Sequence, residues 1–373
     1  MKILHCADLH LDSKMTANLP TEKAKERRQE MLASFRRMVQ FADLNQAEAI
    51  IIAGDLFDKK SCSATVRNTI ISMIREYPRI LFFYLKGNHD RGMDLKGLEQ
   101  DVQNFHLFSE EQWRSFFMGD ICITGIELTE NNNVSAFNEL KLDKDKYNIL
   151  VLHGKTENSS MRPWRSVKGM DSVIPLKTLR DKGIDYLALG HIHKRDAGRL
   201  DGRGIWCYPG CLEGRGFDEC GEHGCVMLEI DPETHQTEIT YVPMAQRIFH
   251  EVPVDISSCS NSYEILQAIE RTLDEGPYDS KDLLKILLTG EAEVTSDILA
   301  DYLSKQLENR FYYVKVENKT RIKVDYRSYA ADPSLKGEFV RRVRHEDSLS
   351  EEEKAEIIQL GIRLLMGVDE FED

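Results

Sequence analysis

The sequence predicts an α/β protein, with a smaller α+β unit and a terminal helix following its main body. Three observations carry this reading. Apolar runs of strand length alternate with segments of helical periodicity. Five of those runs end at a carboxylate, an amide or an imidazole. After about residue 250 the alternation gives way to amphipathic helices interleaved with short strands.

Taken in order, "KILHCAD" (2–8) reads as a short buried strand ending at Asp8. Over 22–44, Met31, Phe35, Met38, Val39 and Ala42 recur at helical spacing. "AIIIAGD" (49–55) is a second strand ending at a carboxylate, followed by a helix with Ser61 or Ser63 as N-cap and Pro78 beyond its end. "RILFFYLKGNHD" (79–90), "YNILVLHG" (147–154) and "IDYLALGHIH" (184–193) are three further strands, each stopping at polar residues. Strands are also expected at 205–208, 224–230 and 236–242. Then "EVPVD" is a linker or strand, followed by helix 263–274, strand 283–289, helix 294–309 and strands 311–316 and 320–325. Residues 328–345 read as less regular, and a final helix over 350–366 carries Ile357, Ile358, Leu360, Ile362, Leu364 and Leu365. There is no internal repeat. The expected divisions are 1–248, 249–327 and 328–373.

With 373 residues the chain can build more than one core, and 41% hydrophobic with 30% charged residues is an ordinary soluble balance. No apolar run approaches the roughly 20 residues of a membrane helix, so no membrane partner is expected. "MKILHCADLH" lacks a signal-peptide pattern, which points to the cytoplasm. The close cysteine pairs, Cys207 with Cys211 and Cys220 with Cys225, lack zinc-finger spacing and are expected to be reduced thiols. A net charge of -14 argues by itself against nucleic acid, although a local site can differ from the whole surface.

In α/β sheets, ligands bind beyond the carboxyl ends of the strands. Asp8, His10, Asp55, Asn88, His89, His153, His191 and His193 should therefore converge. Carboxylate, amide oxygen and imidazole together suit manganese, iron or zinc better than magnesium or calcium. So many ligands exceed the needs of one ion and fit two, about 3.5–4 Å apart with a bridging carboxylate. In an extended segment residues i and i+2 point the same way. Asp8 with His10, and His191 with His193, are expected to use that geometry, with Gly190 permitting a tight exit from the strand. Each piece alone is commonplace: "GNHD" can be only a turn, and His5, His106, His223, His235, His250 and His345 read as core or surface residues. The joint order is what carries information.

That order, "DLH…GDLFD…GNHD…H…GHIH", resembles the calcineurin-like metallophosphoesterases over residues 1 to about 245. The resemblance implies a two-sheet α/β/β/α sandwich with a dinuclear site at one end. It implies that Asp8, His10, Asp55 and His193 hold one metal and that Asp55, Asn88, His153 and His191 hold the other, with Asp55 bridging. It makes His89 the histidine that stabilises the transition state or protonates the leaving group, paired with Asp90 or another carboxylate. Two cations supply a nucleophilic water at neutral pH and neutralise charge on the phosphoryl oxygens, so the implied reaction is hydrolysis of a phosphate ester.

"MKILHCADLHL", "AGDLFD" and "YPGCLEGRGFDECGEHG" are similar to the SbcD-type DNA repair exonucleases, and to a shorter bacterial, YhaO-like branch of that group. "GDLFDKK" departs from the "GDxVDRG" of the superfamily's protein phosphatases. The unit after residue 250 resembles a DNA-capping domain. The last helix stands where such nucleases dock an SMC-like ATPase (SbcC/YhaN-type); the alternative is that it packs on its own domain. Asp58 occupies a position that holds histidine in archaeal and eukaryotic relatives and often aspartate in bacterial ones, so leaving-group protonation is not carried over to it. The implied cofactors are two divalent ions, manganese first, with iron or zinc as alternatives; the implied partners are DNA, the ATPase and a second copy of the chain.

Local charge agrees. Lys155, Arg162, Arg165 and Lys168 oppose only Glu157, and Lys194, Arg195, Arg199 and Arg203 oppose Asp196 and Asp201. Such loops can hold a phosphate backbone, and Trp164 can stack on a base. Two other readings stand beside the nuclease: a small-molecule or nucleotide phosphodiesterase or phosphatase on the same scaffold, and a regulatory subunit of an ATPase complex.

Overall fold

The computed structural model describes residues 1–15, 19–58, 62–93, 95–132, 135–157, 172–231, 233–292, 300–322, 329 and 331–365. The chain divides into two units, Met1–Phe249 and His250–Asp373.

The first unit is built on two six-stranded sheets. In one, β1 (Lys2–Cys6), β2 (Ala49–Ala53), β3 (Leu81–Leu85) and β4 (Phe105–Leu107) run parallel and adjacent, and β13 (Gly224–Ile230) and β14 (Thr237–Pro243) extend it antiparallel beyond β1. In the other, β6 (Ile121–Gly125), β7 (Tyr147–His153), β10 (Tyr186–Gly190) and β12 (Ile205–Tyr208) are parallel, flanked by antiparallel β5 (Arg114–Met118) and β11 (Asp196–Arg199). Two-residue strands β8 (Lys155–Thr156) and β9 (Val173–Ile174) form a minor parallel pair. Because neighbouring parallel strands share a direction, the residues after β1, β2 and β3 lie along one sheet edge, and those after β7 and β10 along one edge of the other sheet.

Alternation decides the core. Ile3, Ala49, Ile51, Ala53, Phe83 and Leu85 from one sheet form a single buried cluster with Ile123, Ile149, Val151, Tyr186 and Ala188 from the other. Leu150, Leu152, Leu187 and Leu189 point the opposite way, into a second cluster with Phe137 and Leu140 around α4 (Ala136–Glu139) and Leu176 and Leu179 of α5 (Leu176–Leu179). Leu4, Cys6, Ile50, Ile52, Phe82 and Tyr84 are equally buried on the far face of the first sheet. The long α1 (Thr21–Leu44), with buried Met31, Phe35, Met38 and Val39, and α2 (Ala64–Glu76) carry the apolar stripes that such a face requires. Ser63, not Ser61, caps α2, accepting from the Val66 N–H at 3.2 Å. α3 (Lys96–Asp101) leads into β4.

In the second unit β15 (Phe249–Asp255, its first residue closing the first unit), β16 (Leu283–Thr289) and β18 (Tyr313–Asn318) make a three-stranded sheet, and β17 (Glu291–Ala292) pairs with β19 (Arg321–Ile322). α6 (Ser262–Glu275) and α7 (Ala300–Leu307) cover the larger sheet with Ile265, Ile269, Leu303 and Leu307. Asn261 caps α6 by accepting from the Glu264 N–H, and Glu264 returns the bond to Ser260 N–H.

The expectation of irregular structure over 328–345 is overturned. Ser334 caps a regular α8 (Leu335–Arg344) by accepting from the Gly337 N–H. Its Val340, with Phe339 and Val343, packs on Ile358 and Ile362 of α9 (Glu351–Leu365) in a separate small cluster. Strands β4, β5 and β6 had no counterpart in the sequence reading; β4 has only three residues, and β5 and β6, though as long as β1, do not end at the polar residues that marked the others. Among the described residues no helix is long and apolar enough to cross a membrane.

Candidate metal centre

The loops after β1 and β2 run side by side, continuing the pairing of their strands: Asp8 N–H donates to Gly54 O at 3.1 Å, His10 N–H to Asp55 O at 2.9 Å, and Leu11 N–H to Leu56 O at 3.0 Å. Asp8, His10 and Asp55 all adopt left-handed backbone, with φ of 52°, 42° and 50°. This corrects the alternation expected for Asp8 and His10: β1 ends at Cys6, and turns rather than an extended pleat aim both side chains. Such conformations cost on the order of 1–3 kcal/mol each and persist only where the surroundings over-determine them.

The second sheet supplies imidazoles. His153 is the last residue of β7; its Nδ1–H donates to Ala53 O at 2.9 Å, while its Nε2 stands 3.3 Å from Asp55 Oδ2 and 2.9 Å from Asn88 Oδ1. The glycine before His191 is there for room, not for its backbone freedom. A Cβ at Gly190 would collide with Ala53 O and the His153 ring, whereas His191 itself takes the turn with φ 103°. Gly54 likewise leaves space for the His153 ring. The His191 N–H donates to both Asp8 carboxylate oxygens, at 3.0 and 2.9 Å, and its Nδ1 lies 3.2 Å from Asn88 Oδ1. His193 Nε2 faces His10 Nε2 at 3.3 Å and Asp8 Oδ1 at 4.0 Å.

The donor chemistry tests whether cations fit. With the Nδ1 proton of His153 committed to Ala53 O, its Nε2 is the atom that faces the acceptors Asn88 Oδ1 and Asp55 Oδ2. With the Nδ1 proton of His193 committed to Glu219 Oε1 at 2.6 Å, its Nε2 lone pair faces His10. Acceptors converging in this way call for positive charge among them, supplied by protons on the imidazoles or by cations in their place. Three triplets, Asp8–His10–His193, His10–Asp55–His89 and Asp8–Asp55–His153, each offer donor atoms within 4.8 Å of one another, so divalent cations fit here.

Electrostatics point the same way. Burial works against ionising Asp55, yet His153, His10 and His89 hold its carboxyl far below the usual range. Burial also opposes charge on His153, but Asp55 and Asp8 raise it to about 9. Desolvation raises Asp8 and lowers His10. The pocket is one that attracts positive charge.

His89 sits at the mouth, its side chain 46% exposed, its N–H donating to Asp55 Oδ1 at 2.8 Å and its ring edge-on to His10. The carboxylate beside it is Asp58, 4.0 Å from Nδ1. The expected pairing with Asp90 is not formed. Asp90 is fully buried and accepts from the Leu56, Phe57 and Gly87 N–H groups at 3.0, 2.8 and 3.4 Å, which ties down the loop carrying Asp55. Burial, with Asp55 nearby, raises its carboxyl to about 7.

Two residues went unseen in the sequence. Glu219 orients His193, and Arg215 braces Glu219 through Nη2 at 2.8 Å and its own N–H at 2.8 Å. Both stand in "GRGFDE", a segment with no periodicity to mark it. Of the expected DNA contacts, Arg162, Trp164, Arg165 and Lys168 lie outside the described residues. Lys194 and Arg195 are exposed just beyond His193, with the Arg195 guanidinium 4.5 Å from the Tyr241 ring centre. Arg203 is a structural residue, bonded through Nε to Asp185 Oδ1 at 2.7 Å and through Nη1 to Lys144 O at 2.6 Å. His5 is a buried core histidine on Tyr186 OH at 2.9 Å. His223 bonds Glu219 O at 2.8 Å, and His250 bonds Asp282 at 3.0 Å. Cys207, Cys211 and Cys225 are buried free thiols, and Cys220 is an exposed one.

The calcineurin-like phosphoesterase profile matches residues 1–195, more than half of the chain and all of the strand ends described above. The chain belongs to the calcineurin-like phosphoesterase family. It is a metal-dependent phosphoesterase, in a family that works with two divalent cations. Among its relatives is a protein of Bacillus subtilis named uncharacterized metallophosphoesterase YhaO, 27% identical over 74% of this chain and 68% of that one. The Sulfolobus acidocaldarius protein named DNA double-strand break repair protein Mre11 is 24% identical over 88% of both chains. Its namesake in Saccharolobus solfataricus is 24% identical over 96% of this chain and 94% of the other.

Proposed function

We propose that the protein is a DNA nuclease: a phosphodiesterase with two divalent cations, manganese in the first place, acting in DNA repair in the cytoplasm. One observation carries the step from phosphoesterase to nuclease. Similarity to the proteins named for double-strand break repair does not stop at residue 195 but runs into the second unit, over 88% and 96% of this chain. A phosphatase of small molecules has no need of that unit.

In this reading Asp8, His10, Asp55 and His193 hold one cation, and Asp55, Asn88, His153 and His191 the other. The cations supply an activated water and neutralise phosphoryl charge. Ala53 O and Glu219 fix which nitrogen of His153 and of His193 faces inward. His89, anchored by its N–H and half-exposed, donates from its ring to a phosphoryl or leaving oxygen. Lys194 and Arg195, with Arg162, Trp164, Arg165 and Lys168, hold the strand. The second unit caps the DNA. α9 packs Ile358 and Ile362 inward yet leaves Leu360 and Leu364 exposed, which supports docking of an SMC-like ATPase. A homodimer belongs to the same reading.

The test is degradation of end-labelled single- and double-stranded linear DNA with manganese, beside a small chromogenic phosphodiester. The wild type should cut DNA. His89→Ala should keep its metals and lose about 10²–10⁴-fold in rate. Turnover of the small ester with DNA left intact would favour a small-molecule phosphodiesterase instead.

A further inference from the structure

A recess opens on the Asn88 and His191 side of the centre, lined also by Lys86, Arg91, Glu127 and Thr129. None of the roles above uses it. Glu127 is only 7% exposed, and its Oε1 has no hydrogen-bond partner among the described residues, while Oε2 lies 3.2 Å from Lys86 Nζ. A buried acceptor left unsatisfied is rare and calls for a donor. The Glu127 backbone is held in place beside the recess. Its N–H donates to Ser109 O at 2.9 Å, its carbonyl accepts from Asn132 Nδ2 at 2.9 Å, and the next carbonyl, Leu128 O, accepts from Arg91 Nη2 at 3.0 Å. The recess has about 370 Å³ of space that opens to solvent, enough to admit a hydroxyl group or a water to Glu127. Burial raises the Glu127 carboxyl to about 7 against the pull of Lys86.

We propose that Glu127 Oε1 accepts a hydrogen bond from a free terminal sugar hydroxyl of the nucleic-acid substrate, so that the recess recognises a strand end. The inference rests on the nuclease reading. A terminal phosphate in the same place would set its oxygens against the Glu127 carboxylate, with Lys86 already paired to it and Arg91 bonded to Leu128 O. The hydroxyl is a 3′ or a 5′ one, and the two sources differ in the polarity they impose.

The experiment measures kcat/KM for release of the first nucleotide from linear DNA ending in 3′-hydroxyl, 3′-phosphate, 5′-hydroxyl or 5′-phosphate, with manganese. The proteins are the full-length wild type, Glu127→Ala and Glu127→Gln. The wild type should prefer hydroxyl over phosphate by on the order of tenfold or more at one end, and that end reports the polarity. Glu127→Ala should bring the ratio close to one, and Glu127→Gln, which keeps an acceptor but no charge, should fall between. Each ratio is taken within one protein, so a general loss of activity cancels. Should the alanine variant fail to fold, the glutamine variant carries the test. Cleavage of DNA with no preference at either end, or a full preference retained in the variants, overturns the inference and leaves the nuclease reading standing; the recess then holds only a water. DNA left intact while a small phosphodiester is hydrolysed overturns both.

Discussion

The two units obey different rules. In the first, Asp8, His10, Arg27, Asp55, Asp90 and Glu213 are all buried, and every non-glycine residue of positive φ among the described residues belongs to it: Asp8, His10, Asp12, Met15, Gln46, Asp55, Asp181, His191 and His235. In the second, the core is aliphatic and aromatic, and among the described residues the buried charge is Asp282, held by the Asp279 N–H and His250. Buried charge and strained backbone are both unfavourable by themselves. Gln46, Asp181 and His235 are ordinary turns at the far ends of the strands, but at Asp8, His10 and Asp55 buried charge or imidazole and left-handed backbone coincide, and there folding rules yield to chemistry.

Four measurements break or sharpen this contrast. The largest effect is expected of Asp55→Ala. It should empty at least one cation position and reduce turnover by more than the roughly 10–100-fold that loss of an outer partner costs. Metal content by mass spectrometry decides it, and unchanged content would refute the bridging role. Next, Glu219→Gln removes the carboxylate that holds the ring of His193 and should weaken metal binding about 10–100-fold in a chelator competition. Wild-type affinity would mean that Glu219 serves the fold alone.

A smaller effect concerns pH. Burial lowers His5 to about 3, so between there and its unfolded value near 6.5 the unfolded chain binds a proton that the folded one does not. The stability from neutral His5 is therefore complete above about pH 6.5 and is lost as pH falls towards 3, at up to about 1.4 kcal/mol per pH unit. Denaturant titrations of His5→Gln across this window should show a shallower slope; an identical slope would assign acid sensitivity elsewhere. The smallest effect is Ile286→Val in the second unit's core, which should cost about 0.5–1.5 kcal/mol of stability and leave metal content unchanged. A drop in metal content would break the contrast between the units.

Much of this molecule is legible in one dimension. Apolar alternation within a few residues locates β1, β2, β3, β7 and β10, because pleat and burial leave a local trace. The identities at their ends, Asp8, Asp55, Asn88, His153 and His191, already declare an oxygen- and nitrogen-rich site. Local signals also misled where the real cause was distant. Gly190 reads as a hinge but is small because Ala53 and His153 press on it. Asp90 reads as a partner for its neighbour His89 but serves a loop more than 30 residues away. α8 was hidden because its apolar face is only as wide as the small cluster it shares with α9.

By itself, then, the sequence determined the strands that carry the site, which chemical groups stand at their ends and to which family they belong, since these depend on periodicity and residue type within short windows. Only the tertiary structure decided how the groups meet. The contact of His10 with His193 spans 183 residues, that of His153 with Asn88 spans 65, and that of Arg91 with Leu128, beside Glu127, spans 37. Contacts across such separations are set by sheet order and by left-handed turns, and neither leaves a mark in the pattern of any single segment.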